Sequence, residues 1–164
     1  MCLPPPSAGS DDGLRPDDHV GQVEQLFSAA RAEFKHLEAY YFHNCLYERV
    51  WKQNPRWSAP VISTRELLRT YPRDWRVIFV GDASMSPWEI THPGASVEHW
   101  NEESGSTWMR RALRTWERCL WINPLPRADW ELTRSVGLLR ELMGGRMVPL
   151  TMEGLDEGVR LLRA

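Results

Sequence analysis

A chain of 164 residues with 42% hydrophobic residues has the size of one domain and enough apolar side chains to bury a substantial core. The net charge of −2 gives no reason to expect binding to nucleic acid or to an anionic membrane. No apolar run approaches the roughly 20 residues that cross a bilayer, and the three cysteines are isolated, so we expect a soluble protein of the reducing cytoplasm. The nine tryptophans are expected as core or interface anchors, with burial favoured.

The first part of the chain predicts a leader followed by a helix and two strands. Residues 1–16 are rich in proline and glycine and lack an apolar period, which indicates a disordered leader. From Asp17 onward, apolar residues recur every three or four positions, so we expect a helix capped by Asp17 or Asp18. The next stretches predict two short strands, EAYYFHNC and YERVWKQ, and then a turn, NPRWSAP.

The rest of the chain alternates helices and strands. STRELLRTYP predicts a short helix that begins at Ser63 or Thr64, and WRVIFVGD predicts a strand buried on both faces. Further on, the pattern predicts a helix around Trp108, a buried strand CLWINPLP, a helix that ends before Gly144, and a short strand MVPLT. This order indicates an open, doubly wound α/β fold with a mostly parallel, Rossmann-like sheet.

The last predicted helix has the sequence MEGLDEGVRLLRA. Leu155, Val159 and Leu162 recur at helical spacing, so we expect them to face the core. Gly154 and Gly158 are expected to weaken this helix, because glycine has a low helix propensity.

The stretch RVIFVGDASMSPWEI places polar residues directly after a strand. Asp82, Ser84 and Ser86 spell D-x-S-x-S, the pattern of a metal-binding loop, and the carboxyl end of a parallel strand is where ligands bind in α/β folds. The alternative is that these side chains cap a short helix that begins near Pro87.

Several segments resemble bacterial von Willebrand factor A proteins of the CoxE-like type. The resemblance runs from Asp17 to the C-terminus, and the segments that carry it are LFSAARAEFKHLEAYYFHNCLYERVWK, RVIFVGDASMSPWEI, GASVEHWNEESGSTWMRRAL, CLWINPLPRADWELTRSVGLLRELMGGRMVPLT and MEGLDEGVRLL. It implies a von Willebrand A-type fold. In that family the fourth strand ends in an aspartate that is the last ligand of the metal-ion-dependent adhesion site, and Asp82 matches this aspartate.

The resemblance also implies further metal ligands. The family site combines a D-x-S-x-S or D-x-G-x-S loop after the first strand, a threonine before the second helix, and the fourth-strand aspartate. Thr64 is the candidate threonine, with Ser63 as the alternative, and Ser84 is the nearest hydroxyl beside Asp82. Such oxygen ligands suit Mg²⁺ or Mn²⁺.

The chain departs from the family at its N-terminus. The family has a strand and the first metal loop before the first helix, whereas this sequence has PPPSAGSDDGLRP there. We therefore expect a partial von Willebrand A-like domain over residues 17–164, without the central strand of the sheet and with weakened metal binding. A truncation or a frameshift upstream of Asp17 would explain this departure.

The function implied by the resemblance is that of a non-enzymatic protein-interaction module. Its family works beside MoxR-type AAA+ ATPases in the maturation of proteins or in metal-cofactor insertion, and its metal face binds a carboxylate of the partner. Two alternatives stay open at this point. One is a metal-assisted enzyme that uses Asp82 with Glu98 and His99, and the other is a nonfunctional fragment.

Two other groups of residues favour structural roles. SVEHWNEES gathers Glu98, His99, Glu102 and Glu103, which are suitable for a metal or for acid–base chemistry but are also typical of a solvated loop. YFHNC places a histidine and Cys45 on one face of a strand, but a nucleophile pair also needs a third, orienting group, so a packed strand end is the preferred interpretation.

Overall fold

The computed structural model describes residues 2–3, 36–53 and 60–164. Helices and strands alternate along most of this part of the chain. The strands are β1 (Cys2–Leu3), β2 (Tyr40–Tyr41), β3 (Arg49–Trp51), β4 (Val61–Ser63), β5 (Arg76–Val80), β6 (Arg118–Asn123) and β7 (Met147–Pro149). The helices are α1 (Thr64–Thr70), α2 (Pro87–Thr91), α3 (Gly105–Thr115), a 3-10 helix (Arg127–Leu132), α4 (Arg134–Leu142) and α5 (Met152–Arg163). The helix expected from Asp17 lies outside the described residues.

The seven strands form one sheet in the order β4-β3-β2-β1-β5-β6-β7. β1 is parallel to both β2 and β5, and β5, β6 and β7 are parallel to one another. β3 is antiparallel to β2 and to β4. The prediction of a mixed α/β fold with a mostly parallel sheet is therefore confirmed at this level. None of the helices in the described ranges is long and apolar enough to cross a membrane.

The centre of the sheet differs from the sequence expectation. Residues 1–16 were expected to contribute no strand, yet Cys2–Leu3 lies between β2 and β5, where Cys2 pairs with Tyr40 on one side and Phe79 on the other. The expectation of a missing central strand is thus wrong at these two residues. Two residues are too short to show the alternation by which a strand is recognised in a sequence. The remainder of the expected leader lies outside the described residues.

A second short strand was also missed. Val61–Ser63 pairs antiparallel with β3 across its whole length, with Val50 opposite Ile62. The sequence had suggested only a turn followed by a helix cap, and most of that turn, residues 54–59, lies outside the described residues. Ser63 does occupy the N-cap position of α1, but its side chain makes no capping hydrogen bond.

The core lies on both faces of the sheet. The larger cluster joins β2, β5 and β6 to α1, α3 and α4, and the smaller one joins β5, β6 and β7 to α5. In the larger cluster the rings of Phe42 and Phe79 each contact Trp121, with centroid distances of 5.9 and 5.7 Å. These three aromatic residues are buried and link the two halves of the sheet through their side chains.

The inward face of α5 is different from the one predicted. Leu162 is buried as expected, but Val159 is 43% exposed. Gly154 and Gly158 are buried as well. Gly154 lies directly against β7, and Gly158 lies directly against β6. A Cβ on Gly154 would come within 2.1 Å of the Pro149 carbonyl oxygen. Close packing of the helix on the sheet therefore requires these glycines, although they lower the helix propensity.

This packing predicts opposite effects for two glycine-to-alanine substitutions in helices. Gly154→Ala forces α5 away from Pro149 and is expected to lower the free energy of unfolding by about 1–3 kcal/mol. Gly137→Ala in α4, where nothing lies within 4 Å of the added Cβ, is expected to raise it by up to about 1 kcal/mol. Urea unfolding followed by circular dichroism measures both. A neutral or stabilising Gly154→Ala would contradict the close approach.

Candidate functional site at the carboxyl edge of the sheet

The candidate residues gather around one edge of the sheet. Because β1, β2, β5 and β6 are parallel, their carboxyl ends meet at the same edge. β4 also ends there, since Ser63 pairs with Arg49 at the start of the antiparallel β3. This carboxyl edge carries three segments, namely residues 43–48, 63–64 and 81–86.

The turn after β5 is held by β6. The Gly81 amide donates to the Ile122 carbonyl at 3.1 Å, and the Trp121 indole nitrogen donates to the Gly81 carbonyl at 2.8 Å. The side-chain amide of the buried Asn123 donates to the main-chain carbonyl of Asp82 at 2.9 Å. The backbone that carries Asp82 is therefore fixed by hydrogen bonds on both sides of the turn.

The carboxylate of Asp82 is part of a tight local turn. Its Oδ1 atom accepts a hydrogen bond from the Ser84 amide at 2.9 Å, and the intervening Ala83 has a φ of 58°, in the left-handed region. Asp82 is half-buried, whereas Ser84 is exposed. Asp82 and Ser84 are thus brought together by the structure, with both side chains at the rim of the carboxyl edge.

The capping interpretation is confirmed for Ser86. Its hydroxyl accepts a hydrogen bond from the Trp88 amide at 3.3 Å, and its own amide donates to Glu89 Oε1 at 3.2 Å, which completes a capping box with Pro87 at the first helical position. Ser84 lies two residues earlier and does not serve as the cap. The D-x-S-x-S pattern therefore combines an aspartate turn with a helix start.

The candidate threonine has a different setting. Thr64 is buried, and its hydroxyl donates to the Tyr47 carbonyl at 2.5 Å while its amide donates to the Glu48 carbonyl at 2.9 Å. Both bonds tie the start of α1 to the loop between β2 and β3. The Thr64 hydroxyl thus has a structural partner.

The arrangement of these residues bears on the metal prediction. The Thr64 hydroxyl donates to the Tyr47 carbonyl, whereas the Asp82 carboxylate accepts from the Ser84 amide, and a ligand role of Thr64 beside them stays a prediction. Among residues 36–53 and 60–164, no group of three or more His, Cys, Asp or Glu side chains is placed to hold a metal ion. Binding of Mg²⁺ or Mn²⁺ at Asp82 and Ser84 stays a prediction.

Two histidine–glutamate pairs connect the loop after β2 to the loop before α3. His43 Nε2 lies 3.9 Å from Glu98 Oε1, and His99 Nε2 lies 3.1 Å from Glu48 Oε1. The His99 ring also makes an edge-on contact with Tyr47, at a centroid distance of 5.8 Å. These contacts hold the two loops together.

The pair of His99 and Glu48 is not a regular hydrogen bond. Both ring nitrogens of His99, and Oε2 of Glu48, are buried and have no hydrogen-bond partner within the described part of the chain, so the 3.1 Å contact is misaligned. The alternative enzyme required Asp82 to act with Glu98 and His99. The structure pairs Glu98 with His43 and His99 with Glu48. The alternative enzyme stays an untested prediction.

Glu89 lies near the carboxyl edge and was not singled out from the sequence. Its buried carboxylate accepts hydrogen bonds from Asn44 Nδ2 at 2.9 Å and from the Ser86 amide, and its carbonyl accepts from the Tyr47 hydroxyl at 3.0 Å. Asn44 has a φ of 55°, so its side chain leaves a tight turn. The spacing S-P-W-E, in which Glu89 stands three residues after Ser86, is the signal that identifies this carboxylate as part of a capping box.

Cys45 is a packed residue. Its amide donates to the His43 carbonyl at 2.6 Å, and its thiol is fully buried. Burial raises the pKa of the Cys45 thiol to about 12, which keeps it protonated near neutral pH and unsuitable as a nucleophile. The packing of Cys45 is as predicted, but β2 ends at Tyr41 and the chain turns at Asn44, so His43 and Cys45 do not lie on a strand.

The loop before α3 is anchored by a charged cluster. Glu103 accepts hydrogen bonds from both terminal nitrogens of Arg111, one of them at 2.6 Å, and Arg65 lies 3.3 Å away. Both guanidinium groups also lie over the ring of Trp108. The hydrogen bonds from Arg111 lower the pKa of the Glu103 carboxyl group.

The chain was compared with protein-family models, curated proteins and solved structures. None of the three comparisons found a match. The family resemblance therefore rests on the sequence segments quoted above, and the structure itself establishes a mixed α/β fold.

Because the Thr64 hydroxyl donates to a main-chain carbonyl, we predict that it stabilises the fold rather than binding a metal ion. Thr64→Val leaves the buried Tyr47 carbonyl without its donor and is expected to lower the free energy of unfolding by about 1–3 kcal/mol. Ser63→Ala, at an exposed neighbour without a capping bond, is the control and is expected to change it by less than about 0.5 kcal/mol.

A thermal shift with Mg²⁺ or Mn²⁺ completes that experiment. Any metal response that Asp82→Asn abolishes should survive in Thr64→Val, because the two side chains have separate partners. Loss of the metal response in Thr64→Val with unchanged stability would make Thr64 a ligand and contradict the structural role.

The Glu103 cluster predicts a specific pH dependence. Because the folded pKa of Glu103 is lowered, its ion pair stabilises the fold above the ordinary carboxyl pKa of 4.5, and this contribution is lost as the pH falls through the folded pKa. In Arg111→Met the pKa of Glu103 should rise towards its ordinary value, measured by NMR titration. Arg110→Met is the control, because Arg110 bonds Ser106 instead. Identical Glu103 titration in the wild type and in Arg111→Met would contradict the pairing.

Proposed function

We propose that the chain is a non-enzymatic protein-interaction module of the von Willebrand A, CoxE-like type that binds its partner at the carboxyl edge. The observation that carries this proposal is the sheet order around β1. The resemblance implies a central strand between the strands of AYYFH and VIFVG, and β1 lies between β2 and β5. Asp82 then follows β5 at the carboxyl edge, in the position of the aspartate that the resemblance assigns to the adhesion site.

The geometry of the edge is suited to docking. The Asp82 turn is fixed by hydrogen bonds from Trp121 and Asn123, so its surface is preorganised and little conformational entropy is lost on binding. The neighbouring thiol of Cys45 is buried and protonated, which argues against thiol chemistry at this edge.

The metal contribution in this proposal is limited. Asp82 and Ser84 are the described residues that would hold Mg²⁺ or Mn²⁺, and an ion there would supply a positive charge for a carboxylate of the partner. The sequence lacks the first metal loop of the family, so the adhesion site in this proposal is degenerate. The fixed turn and the surrounding loops provide a docking surface without an ion.

The partner in this proposal is a MoxR-type AAA+ ATPase, with a role in the maturation of proteins or in metal-cofactor insertion. The support is the resemblance of the segments between Asp17 and the C-terminus.

Site-specific cross-linking tests the proposal. A photo-reactive residue at Ala128, which is exposed and follows the carboxyl end of β6, should cross-link to the purified MoxR-type ATPase from the same genome. The same residue at Val159, on the exposed side of α5, is the matched control and should not. Equal cross-linking from both positions, or none from Ala128, would contradict docking at the carboxyl edge. Repeating the experiment with Asp82→Asn and with EDTA measures the metal contribution.

A further inference from the structure

The charge distribution along the chain sets one segment apart. Between Arg76 and Arg110 there is no lysine or arginine, although the whole chain has 20 such residues. The same segment carries five carboxylates, at Asp82, Glu89, Glu98, Glu102 and Glu103. Glu89 is buried and Glu103 is bonded to Arg111, but Glu102 is exposed. Arg65 and Arg111 lie outside this segment and contact Glu103, whereas the Asp and Glu side chains make the segment itself acidic.

The same segment exposes large apolar side chains. Trp88 is 62% exposed, Val97 is 72% exposed and Trp100 is 74% exposed. Among the described tryptophans, Trp88 and Trp100 depart from the expectation of burial. We refer to residues 88–103, which contain all three, as the aromatic loop. Exposed tryptophan is costly in water and is enriched at the centre of binding interfaces.

The aromatic loop is held in a defined shape. The Trp88 ring stacks on the His92 ring at a centroid distance of 4.1 Å, and the Gly94 amide donates to the Asn101 carbonyl at 2.8 Å. The Trp100 ring covers Gly94 so closely that a Cβ on Gly94 would lie 2.4 Å from it. A short chain of contacts thus links the two exposed indoles and preorganises them.

We propose that the aromatic loop binds an arginine- or lysine-rich segment of a protein partner. A guanidinium or ammonium group gains a cation–π interaction on an exposed indole face and a charge-assisted hydrogen bond to a carboxylate such as Glu102. Trp88 and Trp100 are the anchors, and the negative charge of the exposed Glu102 selects against acidic partners. This inference rests on the proposed function, because it names the chemistry of the partner at the same end of the protein.

A peptide-binding experiment tests the inference. The probe is a labelled peptide of alternating arginine and leucine, and its counterpart has glutamate in place of arginine. We expect the arginine peptide to bind the full chain with an affinity that falls as salt is added, and the glutamate peptide not to bind. Trp88→Ala and Trp100→Ala should each weaken binding by about 5- to 30-fold, and Glu102→Lys should weaken it as well.

The controls lie on α5, on the other face of the sheet. Asp156→Lys and Val159→Ala change an exposed charge and an exposed apolar side chain there, and both should leave the affinity unchanged. Equal losses in the α5 variants would show unspecific charge attraction and overturn the inference. So would binding of the glutamate peptide, or a concentration-dependent dimer that Trp100→Ala dissociates, which would make a second copy the occupant.

The two proposals fail in different ways. If the cross-link from Ala128 forms and the tryptophan variants neither reduce it nor weaken peptide binding, the inference about a basic segment fails and the proposed function stands. If the arginine peptide binds at Trp88 and Trp100 but the ATPase does not cross-link, the inference stands and the ATPase partner is wrong.

Discussion

The buried side chain of Trp121 is the contact on which the site depends. Its ring contacts Phe42 and Phe79, and its indole nitrogen donates to the Gly81 carbonyl. One residue thus joins the aromatic core of the two sheet halves to the turn that carries Asp82. Any change that moved this indole would alter the core packing and the position of the candidate site together, because in a close-packed interior neither adjusts independently.

The sequence predicted elements whose apolar pattern is long enough to be distinctive. β5, β6, α3 and α4 lie where their periodicity placed them, and Gly144 and Gly145, with φ of 61° and 79°, end α4 as expected. β1 and β4 were missed because two or three residues carry no readable alternation, and the partners of β1 are in addition distant in the chain. The face of α5 was assigned from hydrophobicity alone, whereas the closeness of β6 and β7 selects glycine for the inward positions.

The candidate site was predictable only where the local sequence determines it. The position of Asp82 after β5 and the cap at Ser86 both follow from residues close in sequence, and both are present. The partners of Thr64, Glu89 and His99 lie on other elements, at Tyr47, Asn44 and Glu48. Such contacts depend on how the loops after β2 and before α3 approach each other. A single sequence does not encode that approach in any local pattern.

The unequal length of the strand pairs has a consequence for how the protein opens. β5 pairs with β6 over five residues, from Arg76 to Val80, whereas Tyr41 with Trp51 is the one pair between the described residues of β2 and β3. The edge formed by β3 and β4 should therefore open at a lower free energy than β5 to β7, which amide hydrogen exchange would detect. The amides of β5 to β7 would exchange slowest, and those of β3 and β4 would exchange through a partial opening. A partner bound across the carboxyl edge would contact both parts of the sheet and suppress that opening.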